Sequence, residues 1–92
     1  MILPPRVHPG TVLADELAER GITQAALAAH IRVLSKTINE ICRGKRGISA
    51  EMAVKLSMSL GASPQFWLNL QKNWELSQVR RRSIPRIKPI AA

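Results

Sequence analysis

The sequence predicts an all-α fold, a bundle of five short helices. Apolar residues recur at spacings of three and four through the middle of the chain, and no segment shows the period-two alternation or hairpin signals of a sheet. Hydrophobic residues make up 46% but aromatic ones only 3%, so the core must be built from Leu, Ile, Ala, Val and Met, which suits packed helices. Capping residues and glycines divide the apolar pattern into five pieces. At 92 residues the chain fits a single domain.

Pro4, Pro5 and Pro9 make residues 1–10 an extended arm that includes His8. Thr11 then caps a helix running to about Arg20 and closed by Gly21, with Leu13 and Leu17 inward and Asp15, Glu16 and Glu19 outward. Thr23 caps a second helix, TQAALAAHI, anchored by Leu27 and Ile31. The third begins near Leu34 or Ser35, turns Ile38 and Ile41 inward and Lys36, Asn39, Glu40 and Arg43 outward, and stops at Gly44. GKRGIS is a loop, and Ser49 caps a fourth helix with Ala53, Leu56 and Leu60 on one face, ended by Gly61. Ser63 and Pro64 open a fifth helix through about Leu76, lined on one side by Phe66, Trp67, Leu70 and Trp74. Pro85 and Pro89 prevent the rest from continuing as helix. The organisation is therefore an arm (1–10), a helical domain (11–76) whose last helix, about 64–76, serves dimerisation, and a basic proline-containing tail (77–92).

Fourteen Lys and Arg against six Asp and Glu give a formal charge of +8, which points to an anionic partner. The cations are clustered. Arg32, Lys36, Arg43, Lys45 and Arg46 crowd the centre, and Arg80, Arg81, Arg82, Arg86 and Lys88 form a second group with no acid among them, so two contact zones are expected. A lone Cys42 with only His8 and His30 offers neither an intramolecular disulfide nor a metal ligand set, which fits a reducing, cytoplasmic compartment and no cofactor. No apolar run approaches a membrane span, and the start of the chain lacks the order of a signal peptide. With six scattered carboxylates and no nucleophile, base and orienting group in sequence reach, the chain does not read as an enzyme.

Two short helices joined by about four residues, the second polar on its first outward turns, form the layout that places a helix in the DNA major groove. An α-helix with its side chains fills that groove, so those turns reach base edges. Lys36 suits guanine, Asn39 suits adenine, Glu40 can accept from cytosine, and Ser35 and Thr37 suit base or phosphate.

TQAALAAHI, TINEICRGKRGIS, AVKLSMSLG and above all SPQFWLNLQ resemble the Xre/Cro-type helix-turn-helix proteins called HigA-family antitoxins, over about His8 to Leu76. The resemblance implies an all-α homodimer that represses its own promoter and neutralises a partner toxin, usually a HigB-type ribosome-dependent ribonuclease. It assigns the reading helix to Ser35 through Arg43, phosphate contacts to Thr23 and Gln24, and loop contacts to Lys45 and Arg46. Three positions depart from the pattern. Arg32 stands where a glycine is frequent in a turn that calls for positive φ, Leu34 stands where a capping residue or proline is common, and the tail turns basic where relatives often continue acidic and helical.

Competing readings remain open at this point: a stand-alone transcriptional regulator of the same fold, or an RNA-binding module driven by the basic tail. Trp67 and Trp74 can stack on bases, but their spacing with Leu70 between them favours an apolar packing stripe. With Phe66 it predicts a homodimer through the fifth helix, which would pair two reading heads on a two-fold operator of double-stranded DNA.

Overall fold

A computed structural model describes residues 7–80 and 83–91. Its helices are α1 (Pro9–Arg20), α2 (Gln24–His30), α3 (Ser35–Cys42), α4 (Ala50–Leu60) and α5 (Pro64–Gln78). Among the described residues there is no strand. Pro4 and Pro5 of the expected arm, and Arg81 and Arg82 of the tail, lie outside the described residues.

The start of α1 corrects the sequence reading. His8, not Thr11, is the N-cap: its Nδ1 accepts from the Gly10 N–H at 2.8 Å, and Pro9 occupies the first turn. Imidazole is an uncommon cap, and this one works because a neutral ring nitrogen supplies the acceptor that Ser or Thr would otherwise give. His8 and Pro9 therefore belong to the folded domain rather than to an arm. Gly21 closes the helix at φ 65°, and Thr23, Ser49 and Ser63 cap α2, α4 and α5 through their hydroxyls, each accepting an amide three residues on at 3.0 to 3.1 Å. The last helix runs to Gln78, past the expected Leu76.

Leu13, Leu17, Leu27, Ile38, Ile41, Ile48, Leu56 and Trp67 form one continuous core. The first helix packs directly on the third at Gly10, where a Cβ would lie 1.7 Å from the Ile41 carbonyl oxygen, so only glycine permits this approach. The turn between α2 and α3 passes through Arg32 at φ 60°, the left-handed conformation expected at this position. Cys42 is half-buried beside the core, and burial raises its thiol pKa. No helix among the described residues is long and apolar enough to cross a membrane.

Candidate nucleic-acid interface

Residues of α3 divide as an amphipathic helix must. Ile38 and Ile41 are fully buried, while Ser35, Lys36, Asn39 and Arg43 are exposed and Thr37 and Glu40 half-buried. Thr23 is exposed and Gln24 half-buried at the start of α2, and Lys45 and Arg46 are exposed on the loop after α3. The fold thus leaves all ten expected contact residues at least partly accessible.

Three polar contacts organise them. Asn39 Nδ2 donates to Gln24 Oε1 at 3.1 Å, tying the middle of α3 to the first residue of α2. Asn39 keeps its carbonyl oxygen and a second N–H, the pair that adenine requires. Arg46 donates through Nε (3.2 Å) and Nη2 (2.9 Å) to one oxygen of Glu40. This adds a role for Glu40, because one oxygen of its carboxylate holds the loop arginine. As an exposed pair it contributes at most about 1 kcal/mol, so DNA phosphates can compete for Arg46. Lys36, Arg43 and Lys45 make no ion pair among the described residues.

The third contact was not legible as functional. Gln71, on α5, is 7% exposed; its Oε1 accepts from the Ile48 N–H at 2.8 Å and its Nε2 donates to Glu75 Oε1 at 3.0 Å. Hydrogen bonding from Gln71, with the charge of Lys72 beside it, holds the Glu75 carboxyl below its ordinary range. The loop is pressed on the amide closely enough that a Cβ at Gly47 would lie 2.9 Å from Gln71 Nε2. Gln71 therefore anchors the segment that carries Lys45 and Arg46. A signal existed in the sequence, since Gln71 is a polar residue inside the Trp67, Leu70, Trp74 stripe.

Two of the four residues in that stripe are not available to the shared surface expected of them. Trp67 (1% exposed) and Leu70 (8%) are spent in the chain's own core. Trp74 stacks edge-on against His8, with ring centroids 4.7 Å apart. Of the four only Phe66 is exposed, and it meets Trp67 edge-on at 5.3 Å. The physical reason is size: a domain with so few aromatics needs its large ring inside. The apolar side chains left outside lie elsewhere, among them Leu76 and Val79 at the end of α5 and Ile84, Ile87 and Ile90 in the tail.

Comparison with known proteins agrees with this geometry. Residues 13–67 match the helix-turn-helix family. Antitoxin HigA-1 of Vibrio cholerae is 38% identical over 83% of this chain and 72% of its own length. The Pseudomonas aeruginosa antitoxin HigA, solved with the higBA promoter, is 46% identical over 78% of this chain and 79% of that one, with a TM-score of 0.76. Antitoxin GraA, solved in complex with its operator, is 38% identical over 99% of this chain and 95% of that one, with a TM-score of 0.82.

Proposed function

The chain belongs to the helix-turn-helix family, in the Xre/Cro-type branch that includes the HigA antitoxins, and on that premise we propose that it is a sequence-specific DNA-binding antitoxin. It acts as a homodimer that represses its own operon and neutralises a partner toxin of HigB type, and it binds rather than catalyses. The observation that carries the DNA reading is the Asn39–Gln24 bond, which presets an amide on the outward turns of α3 beside Lys36. A preset side chain loses less conformational freedom on meeting its base, which favours reading over loose electrostatic attachment. Relatives solved with a promoter and with an operator support the DNA-binding reading.

Lys36 and Asn39 are assigned to base edges. Asn39→Ala or Lys36→Ala should cost about 1 to 3 kcal/mol on the operator and little on random DNA, measured by fluorescence anisotropy at fixed salt. Unchanged operator preference in both variants would remove α3 as the reading element. The antitoxin half has its own test. A basic chain encoded beside this one should be toxic alone, and co-expression should give a stable complex and restore growth. A toxic neighbour that this protein neither binds nor relieves leaves a stand-alone regulator.

A further inference from the structure

The C-terminal half of α1 and the start of α5 enclose a groove of about 530 Å³, floored by Val12, Leu60, Phe66 and Trp67, with Asp15, Glu16 and Glu19 among its lining. Three of the chain's six carboxylates thus gather on one side of a protein of charge +8. Glu16 is taken by Arg20 at 2.7 Å, and Arg20 also donates to the Leu60 carbonyl at 2.8 Å. Asp15 and Glu19 make no ion pair among the described residues. The indole N–H of Trp67 is buried without an acceptor among the described residues, an uncommon condition for such a donor. An anionic groove with the half-open Phe66 ring on its wall fits a cationic, apolar chain.

The tail has that chemistry. Pro85 and Pro89 fix their own φ and force Ile84 and Lys88 towards extended conformations, which together favour polyproline II. At three residues per turn this form places Ile84, Ile87 and Ile90 on one edge, with no internal hydrogen bonds to occupy the backbone carbonyls. The three isoleucines are 48%, 79% and 97% exposed, and no acid follows Glu75 to offset Arg86 and Lys88. The tail leaves α5 beside the start of α1, where Trp74 meets His8, whereas the groove lies at the opposite end of the α1–α5 pair. The molecule is 53 Å long against 26 and 24 Å across, and the isoleucines of its own tail stay in solvent.

We propose that this groove receives residues 84–90 of a second copy of the chain, with the isoleucine edge against Val12, Ala62 and Phe66 and the tail's cations beside Asp15 and Glu19. The proposal rests on the homodimer reading and names what holds the dimer: two tails exchanged reciprocally, as a two-fold interface requires. Proline-containing segments are taken up in aromatic grooves because their backbone is already ordered.

Sedimentation equilibrium on the full chain tests it. Ile84→Ser/Ile87→Ser/Ile90→Ser and, separately, Asp15→Lys/Glu19→Lys should each raise the dimer dissociation constant at least about tenfold. Adding Arg86→Glu/Lys88→Glu to the groove variant should recover most of that loss. With a photocrosslinking residue in place of Ile87 and a mixture of isotopically heavy and light protein, the crosslinks should join position 87 of one copy to α1 or α5 of the other. A dimer that withstands both variants overturns the exchange and leaves the homodimer standing, whereas a wild type that is monomeric at tens of micromolar overturns both. Crosslinks confined within one copy overturn it too. So do tail variants that keep the dimer but weaken all DNA binding and flatten its salt dependence, which would give the tail to phosphates.

Discussion

Replacing Gln71 with leucine keeps the volume at a nearly buried position and removes the acceptor of the Ile48 N–H. The bond is 2.8 Å long, and losing it strands a donor in a site from which water is largely excluded. Stranding a buried amide costs about 1 to 3 kcal/mol, and the apolar replacement returns only part of that, so a loss of about 2 kcal/mol is expected. In a domain of this size that lowers Tm by about 8 to 16 °C, measurable by circular dichroism. Operator and random DNA should both bind less well, because the released loop carries Lys45 and Arg46 while α3 stays in place. Gln71→Glu separates acceptor from charge: it can still accept from Ile48 but faces Glu75, so its deficit should shrink as pH falls through the carboxylate range. A Gln71→Leu protein with wild-type Tm and wild-type affinity for both DNAs would refute the anchoring role.

Gly10→Ala should destabilise by about 3 kcal/mol, since its Cβ would meet backbone rather than a movable side chain, against about 1 kcal/mol for Gly21→Ala, which meets open space but keeps a positive φ; equal effects in urea denaturation would contradict the tight α1–α3 contact. Arg32→Gly should relieve about 1 to 2 kcal/mol of left-handed strain and lose about 0.5 to 1 kcal/mol to the freer unfolded chain, for a net gain near 0.5 kcal/mol; a lower urea midpoint would show that no strain is stored there. Partial burial lowers the pKa of His8 from 6.5, so the folded state holds fewer protons than the unfolded one. Its contribution is therefore complete above pH 6.5 and lost as pH falls towards the depressed value. His8→Asn, which caps without titrating in that range, should flatten the pH dependence of Tm below pH 6.5, and identical slopes would argue against the cap.

What was legible in the sequence is what local chemistry decides. Ser49, Ser63 and Thr23 cap because hydroxyls at those places have few other uses, and the inward turns of Ile38 and Ile41 follow from spacing alone. The need for a positive φ at Arg32 was legible through resemblance. Unread were one unusual local cap and the features set by contact between distant segments. His8 looked like part of an arm because imidazole seldom caps, and Gln71 looked like one more polar residue because its partner is 23 positions away. The α5 stripe misled for a related reason. Periodicity identifies a face to be buried but not what buries it, and here Trp67 and Leu70 face inward while His8 covers Trp74.

If α3 is the reading helix, as proposed, those contacts act on DNA binding from residues that do not touch the DNA. Lys36, Asn39 and Arg43 project from α3, but the pose of α3 depends on its neighbours. Its C-terminal end rests on Gly10 and its central amide on Gln24, while Gln71 holds only the loop that leaves it. A groove-reading helix displaced by about 1 Å loses aligned hydrogen bonds to bases but little of its longer-range attraction to phosphate, because Coulomb energy falls slowly with distance while hydrogen bonds weaken steeply off axis. Substitutions at the supports that leave the domain folded should therefore lower the ratio of operator to random binding more than they lower random binding. Gln24→Ala is the clean case, being partly exposed and making one side-chain bond, to Asn39. It should lower operator affinity by part of the Asn39→Ala loss, and the two losses should be less than additive in a double-mutant cycle. Additive losses would mean that the bond between them does not position Asn39 for its base.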